Sequence, residues 1–315
     1  MKKTLEKYFS GMKLDYNIVP QTTFGLGGYI RYYLPVKTTE DFVNAIKKTQ
    51  KHKIPFRVLA GGSNVIFPEN FDKLLIHFLP SNDELKTIIE NNSILTEANV
   101  SLNKLVEISV AKGLEGLESL IDIPGTIGGG IVGNAGAYGQ SISDCIDWVE
   151  VFDGEGIKKM SNEECLFDYR DSIFKKKNLF VIRAGFKFEK GDKEIIKKRA
   201  EDIKIARRLK YKKGLRCPGS FFKNVLIDNI SQESLKLIDK DKIINNRLPA
   251  GYLLEESGAK GRSCGDIFVS DFHSNVLINK GQGTYTQVKT LAEELKRAVE
   301  NKFGILLEEE VRYML

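Results

Sequence analysis

The stretch GLEGLESLIDIPGTIGGGIVGNAGAYG, from Gly113 to Gly139, holds nine of the chain's 28 glycines, against an average usage of roughly 7%. Glycine reaches positive φ without steric cost and lets another group come close to the main chain, so such a stretch offers backbone amides to a ligand. The ligand that suits such a surface is an anion, usually a phosphate. A second stretch, LAGGSNVIF from Leu59 to Phe67, follows an apolar strand-like run and sets Gly61, Gly62, Ser63 and Asn64 in one turn. Two such loops point to one extended, phosphorylated cofactor; a ligand-free structural turn is the alternative for either loop taken alone.

Gly128, Gly130 and Gly133 spell G-x-G-x-x-G, with Glu150 not far from the acidic position of a dinucleotide-binding fingerprint. That fingerprint needs a strand before it and a helix opening on it. Here Pro124 and Gly125 come before, and IVGNAGAYGQ follows, a run expected to be too rich in glycine to propagate a helix. The context argues against a Rossmann site.

A chain of 315 residues, 42% hydrophobic and 29% charged, has room for two or more domains with real cores. The amino-terminal MKKTLEKYFSGMKLDYN has lysines but no apolar h-region, and no segment approaches the ~18 apolar residues of a membrane span. A cytoplasmic protein is expected. Cys145, Cys165, Cys217 and Cys264 lie far apart without a C-x-x-C pair, and His52, His77 and His273 have no ligand spacing, so idle thiols and no metal are expected. The formal charge of +6 suits either nucleic acid or anionic small molecules. Lysines spread along the whole chain, with no nucleic-acid-binding motif, favour the second.

Taken in order, Thr38 to Lys53 reads as a helix with Thr38 at the N-cap and Asp41 at N3, followed by strands at Phe56 to Ala60 and Leu74 to Leu79. Ser101 to Lys112 reads as a second helix ending at Gly113. Trp148 to Phe152 and Phe180 to Phe188 read as strands, with Asp153 and Gly154 turning a hairpin back to Ile157. Lys193 to Arg216 is the most basic segment and reads as a helix with one buried face, on Ile196, Ala200, Ile203, Ala206 and Leu209.

Four segments of the first half, TTFGLGG (Thr22 to Gly28), AGGSNVIF (Ala60 to Phe67), GLESLIDIPGTIGG (Gly116 to Gly129) and GNAGAYG (Gly133 to Gly139), resemble the flavin-binding half of the UDP-N-acetylenolpyruvoylglucosamine reductases. The resemblance continues in order through FDYRDSIFK (Phe167 to Lys175), GSFFKN (Gly219 to Asn224), VSDFHSNVLIN (Val269 to Asn279) and LLEEEVRYM (Leu306 to Met314). It implies an α+β architecture. An FAD-binding domain of the vanillyl-alcohol-oxidase-like (PCMH) type would span residues 1–195, in two α+β subdomains split near 75–80. A C-terminal α+β substrate-binding domain would span 196–315, its last strand returning a catalytic glutamate.

The resemblance also implies non-covalent FAD, NADPH as hydride donor, and reduction of an enolpyruvyl UDP-sugar to UDP-N-acetylmuramate for the cell wall, by a monomer with no nucleic-acid or membrane partner. The residues that would hold FAD are Gly61, Gly62, Ser63, Asn64, Ser119, Pro124, Gly125, Gly128, Gly129, Asn134, Gly136, Ala137 and Arg207, the last one of three basic candidates with Arg208 and Lys210. Tyr169, Lys210, Lys223, Asn224 and His273 would bind substrate.

Arg170, by itself readable as half of an ion pair, would stabilise charge developing on the substrate carboxylate. Ser220, by itself a turn or cap residue with no histidine for a hydrolase triad, would be the general acid. Glu310 would help to hold the substrate carboxylate and position the proton. Val225 and Glu309 stand where the family usually has proline, and no inserted tyrosine loop is visible between Phe188 and Gly219. A flavin oxidase of the same fold, acting on an alcohol or lactone, is the alternative. Many such oxidases tether FAD through a histidine or cysteine, which neither loop contains.

Overall fold

A computed structural model describes residues 2–83, 86–212 and 214–315. The chain forms two compact units, each discontinuous in sequence. The first takes residues up to Tyr16, Ile30–Gly61 and Asp72–Leu209; the second takes Asn17–Tyr29, Gly62–Phe71 and Lys210–Leu315. These lines differ from the expected sequence boundary between residues 195 and 196. The basic helix belongs to the first unit: Ile196 and Ala200 are buried, Ile203 packs against that unit's core, and Arg199 and Arg208 reach Glu115 and Asp122 of the glycine stretch.

In the first unit, α1 (Lys2–Tyr8) precedes a sheet of β1 (Lys13–Asn17), β2 (Tyr29–Val36), β3 (Phe56–Leu59) and β4 (Asn70–Phe78), in the spatial order β1-β2-β4-β3, with β3 and β4 parallel. The connection into β3 is α2 (Thr39–Lys51). Thr38 caps it as expected, its hydroxyl accepting the Asp41 amide at 3.1 Å, while Phe42, Val43, Ala45 and Ile46 face the core. The chain leaves this sheet at Phe78 and enters a second one of five antiparallel strands: β5 (Thr87–Glu90), β6 (Ser93–Glu97), β7 (Ile146–Phe152), β8 (Ile157–Ser161) and β9 (Phe180–Lys187), in the order β8-β7-β9-β6-β5. The Asp153-Gly154 hairpin forms, with Phe152 opposite Ile157.

Between β6 and β7 lie α3 (Leu102–Ala111) and α4 (Ile127–Gly133). The second corrects part of an expectation: a short helix does form on IGGGIVG, taking in the first three residues of IVGNAGAYGQ, and it stops at left-handed Asn134, so the rest of that run does not propagate it. Thr126 caps it by accepting the Gly129 amide at 3.3 Å, and Ile127 and Ile131 are fully buried, so capping and burial outweigh the poor propensity of glycine. No strand leads directly into it; the chain arrives from a 3₁₀ turn at Glu118–Leu120 through Asp122 at positive φ. The last helix of the unit, α5 (Lys193–Lys210), ends six residues short of the expected Arg216, and Gly214 beyond it takes φ +81°.

The second unit has its own core, built on α6 (Gln232–Leu235), α7 (Ala250–Glu256), α8 (Tyr285–Phe303) and a small antiparallel sheet of β10 (Ser263–Cys264), β11 (Ile267–Val269) and β12 (Leu277–Asn279). Thr284 and Gln287 form a capping box at the start of α8, and Gly304 ends it at φ +66°. Val288, Leu291, Leu295, Val299 and Phe303 are buried along one face. At about 1.5–3 kcal/mol for each buried large apolar side chain, this stripe outweighs the helix's intrinsic propensity. A two-residue strand, Arg312–Tyr313, pairs in parallel with Val65–Ile66. All four cysteines are free thiols, and burial pushes those of Cys145 and Cys165 up to about 12.

Candidate active site

In the first unit the two glycine loops meet backbone to backbone. A Cβ on Gly61 would lie 2.6 Å from the Gly125 Cα, and one on Gly128 would lie 2.9 Å from the Ala98 Cβ. Glycine at these positions is therefore required by close approach. The Gly128 amide donates to the Ala98 carbonyl at 2.7 Å, and the Gly129 amide is the one that Thr126 caps. These two glycines offer a bare surface more than free donors. Pro124 precedes Gly125, which takes φ +125°. Ser119 is buried, and its amide donates to the Gln140 side chain at 2.9 Å.

The far end of α4 organises the arginine. Asn134, left-handed at φ +42°, donates to the Asp168 carbonyl at 2.9 Å, and the Ser172 hydroxyl donates to the Val132 carbonyl at 2.8 Å. These bonds clamp a tight turn in which Asp168 and Asp171 exchange backbone hydrogen bonds and Tyr169 and Arg170 form the tip. Arg170 itself takes φ +54°, a conformation that costs a non-glycine residue about 1–2 kcal/mol. Its guanidinium donates to the Gly136 carbonyl at 2.5 Å and sits 5.0 Å from the Tyr169 ring centroid.

The neighbouring Asp171 pairs with Lys176 at 2.6 Å, which draws its carboxyl below the usual range against the opposing effect of burial. Gly136 and Ala137 pair with Ser141 and Gln140 in a hairpin whose tip, Tyr138 and Gly139, has both φ positive. Arg207 donates to the Asp122 carbonyl at 3.4 Å.

In the second unit, the segments that carry Ser220 and Glu310 pair although the two residues are 90 positions apart in the chain. Phe222 and Glu309 form an antiparallel bridge, the Glu310 amide donates to the Phe221 carbonyl at 2.8 Å, and the Lys223 amide donates to the Glu308 carbonyl at 2.8 Å. Ser220 heads this segment, after Gly219 at φ +89°, with its hydroxyl 3.3 Å from the Tyr211 hydroxyl. The acidic run divides its work: Glu308 pairs with Lys223 and Glu309 with Lys296, each at 2.5 Å. The first two glutamates of the run are thus ion-paired, which an unpartnered acidic strand end would not be.

Asn224 accepts the Ala250 amide at 3.2 Å at the start of α7. His273 accepts the Asn275 amide on Nδ1 at 3.2 Å, so Nε2 carries its proton; burial, and then the Lys210 ammonium, hold the imidazole below its usual range. The Asn64 side chain donates to the Glu310 carbonyl at 3.1 Å, and the Ser63 carbonyl accepts from the Thr23 hydroxyl.

The carboxy-terminal third, residues 210–314, matches the model of the UDP-N-acetylenolpyruvoylglucosamine reductase C-terminal domain, and residues 30–160 match an FAD binding domain. A UDP-N-acetylenolpyruvoylglucosamine reductase of Solibacter usitatus is 34% identical over 93% of this chain and 93% of its own. The chain belongs to the UDP-N-acetylenolpyruvoylglucosamine reductase family. It is thus an FAD-dependent oxidoreductase of mixed α and β structure. The family's reductase from Clostridium novyi is 33% identical over 99% of this chain and 95% of its own. The crystal structure of the reductase from Thermus caldophilus superposes with a TM-score of 0.74 at 27% identity, covering 96% of this chain and all of that one.

The residues present fit FAD. Among the described residues, the Gly62 and Ser63 amides donate to no protein group, Gly62 takes φ +65°, and the buried Asn64 Oδ1 has no donor. A dinucleotide brings phosphate oxygens for such amides and hydroxyls for such an acceptor.

Three contributors in this reductase were missed in the sequence. Tyr211 falls inside the helix that the sequence predicts over Lys193 to Arg216, yet it stands just beyond the last helical turn. Asn275 receives the Phe222 amide on Oδ1 and donates to the Phe222 carbonyl, both at 2.8 Å, and so holds the Ser220 segment in place. Arg216 donates to the Gly25 carbonyl at 2.5 Å and the Gly281 carbonyl at 2.9 Å. Asn275 lies within the VSDFHSNVLIN segment, so its neighbourhood was flagged; nothing local marks Arg216.

Proposed function

We propose that the protein reduces UDP-N-acetyl-3-O-(1-carboxyvinyl)-glucosamine to UDP-N-acetylmuramate, with NADPH as electron donor, in peptidoglycan precursor synthesis. The observation that carries this reading is the backbone pairing, through Phe221 and Phe222, of the segment that follows Ser220 with the segment of Glu310, the two segments that the family resemblance singles out. Bound FAD supplies the hydride chemistry, and Gly61 to Asn64, the Gly125 to Gly129 segment and Asn134 to Ala137 would hold it. Hydride reaches C3 of the enolpyruvyl group and a proton reaches C2, so NADPH, one proton and the substrate give NADP+ and the lactyl ether.

Ser220 delivers that proton from its hydroxyl, and the Tyr211 hydroxyl at 3.3 Å supplies a hydrogen bond to the serine oxygen as its proton leaves. Arg170, always protonated and pre-oriented by the Gly136 carbonyl, stabilises the negative charge that develops on the substrate carboxylate. Glu310 orients the carboxylate region and the proton donor. Lys210, Lys223, Tyr169, Asn224 and the Nε2–H of His273 face the UDP-sugar, whose diphosphate suits their cationic and N–H groups. Among the described residues no helix is long and apolar enough to cross a membrane. We place the reaction in the cytoplasm, in a monomer.

The test is direct. Purified protein should be yellow, release FAD on mild denaturation, and turn over NADPH beyond one equivalent per flavin only when the enolpyruvyl UDP-sugar is present. Colourless protein that FAD cannot reconstitute, or flavin that survives acid precipitation with the protein, rejects the reading.

A further inference from the structure

A row of polar aromatic groups crosses the first sheet strand by strand. Tyr16 on β1 stacks on Tyr33 of β2 with ring centroids 3.9 Å apart. The Tyr33 hydroxyl lies 2.7 Å from His77 Nδ1 on β4, and His77 Nε2 lies 3.0 Å from the Ala60 carbonyl, just past β3. The spatial order of the four groups is the order of the strands.

A carbonyl only accepts, so Nε2 carries the imidazole proton and Nδ1 accepts from the Tyr33 hydroxyl. The ring is neutral at physiological pH, because burial drives its pKa down to about 4. Its setting gives no structural reason for a polar group: Leu74, Leu75 and Ile76 on the same strand are fully buried, and His77 itself is 1% exposed. An apolar side chain would pack here without needing two hydrogen-bond partners.

What the histidine adds is control of one peptide group. The carbonyl of Ala60 and the amide of Gly61 belong to the same planar unit and point in opposite directions, so holding one aims the other. We propose that His77 is a positioning residue for the cofactor loop, fixing the Ala60–Gly61 peptide plane and with it the entry into the Gly62–Asn64 turn. Tyr33 fixes His77 in turn, by occupying Nδ1 and leaving Nε2–H for the loop. The inference rests on the reading that this loop holds FAD.

The experiment uses the full chain, stripped of flavin and reloaded, as wild type and as His77→Leu, His77→Gln and Tyr33→Phe. FAD dissociation constants come from flavin fluorescence, and hydrogen exchange is followed at Gly61 to Asn64 and, as a reference, along α8. Leucine removes the bond to Ala60 and should raise the FAD dissociation constant about tenfold, the scale of one lost buried hydrogen bond. It should also speed exchange in the loop and leave α8 unchanged. Glutamine, whose amide can donate to the same carbonyl, should recover most of the affinity, and Tyr33→Phe should fall between.

Unchanged affinity in His77→Leu overturns the inference, as does faster exchange in loop and α8 alike with no rescue by glutamine, which marks a merely structural residue. If His77→Leu does not fold, an unchanged affinity in Tyr33→Phe overturns it instead. Wild-type protein that binds no FAD fails the cofactor reading itself, a result visible before any variant is compared.

Discussion

Ser220 owes its proposed role to its neighbours, since a serine after a glycine is ordinarily a turn residue. If it protonates C2 and takes no part in flavin reduction, Ser220→Ala should bind FAD normally and be bleached by NADPH at close to the wild-type rate. Recovery of flavin colour on adding the enolpyruvyl UDP-sugar should slow by about 10²–10⁴-fold, the usual worth of a positioned acid. Stopped-flow absorbance follows both phases in one sample; equal slowing of the two would mean that the flavin had moved, and unchanged recovery would remove Ser220 from the mechanism. Arg170 carries a different lesson. Held at φ +54° with its guanidinium on the Gly136 carbonyl, it spends conformational energy on orientation, as functional side chains often do.

At the scale of elements, glycine does two separable jobs. Gly61 is glycine because backbone stands where its Cβ would go, whereas nothing lies within 4 Å of a Cβ on Gly133, the last residue of α4. Gly61→Ala should therefore push the loops apart and weaken FAD binding by tenfold or more. Gly133→Ala should leave binding alone and raise stability by up to about 0.5–1 kcal/mol. Parallel FAD titrations and urea melts separate the two, and equal loss of affinity in both would contradict the packing argument.

The first sheet adds a pH term. His77 has a folded pKa of about 4 against 6.5 in an open chain, so the unfolded state binds the proton more readily. The stability linked to this group is complete above pH 6.5 and is lost as pH falls from 6.5 through 4, by about 3 kcal/mol in all. His77→Gln should flatten the acid limb of the stability curve by roughly that amount. Urea midpoints between pH 4 and 7 measure it, and identical slopes would refute the assignment.

For the whole molecule the relevant quantity is the formal charge of +6. It is what is left after ion pairs such as Arg183 with Glu150, Arg208 with Asp122 and Lys223 with Glu308 have cancelled. Such exposed pairs contribute little to stability, and what remains is a field that favours polyanions. The KM for the UDP-sugar should accordingly rise with ionic strength while the rate at saturating substrate changes less. A KM that stays flat across a wide salt range would argue against electrostatic capture.

The sequence by itself determined whatever depends on near neighbours. Thr38 and Asp41 announce the start of α2, the apolar run WVEVF announces a strand, and the glycine density announces close backbone approach. The family motifs, in order along most of the chain, named the chemistry. Only the tertiary structure decided that IGGGIVG is helical, because the burial of Ile127 and Ile131 that outweighs glycine's cost is supplied by residues distant in sequence. It alone paired the Glu310 segment with the one that follows Ser220, through the bond from the Glu310 amide to Phe221, and joined His77 to Ala60 across the sheet. The division follows from range. Capping, turn and propensity effects act over three or four residues and are written locally, whereas burial and cross-strand hydrogen bonds join residues whose separation along the chain carries no signal of their contact.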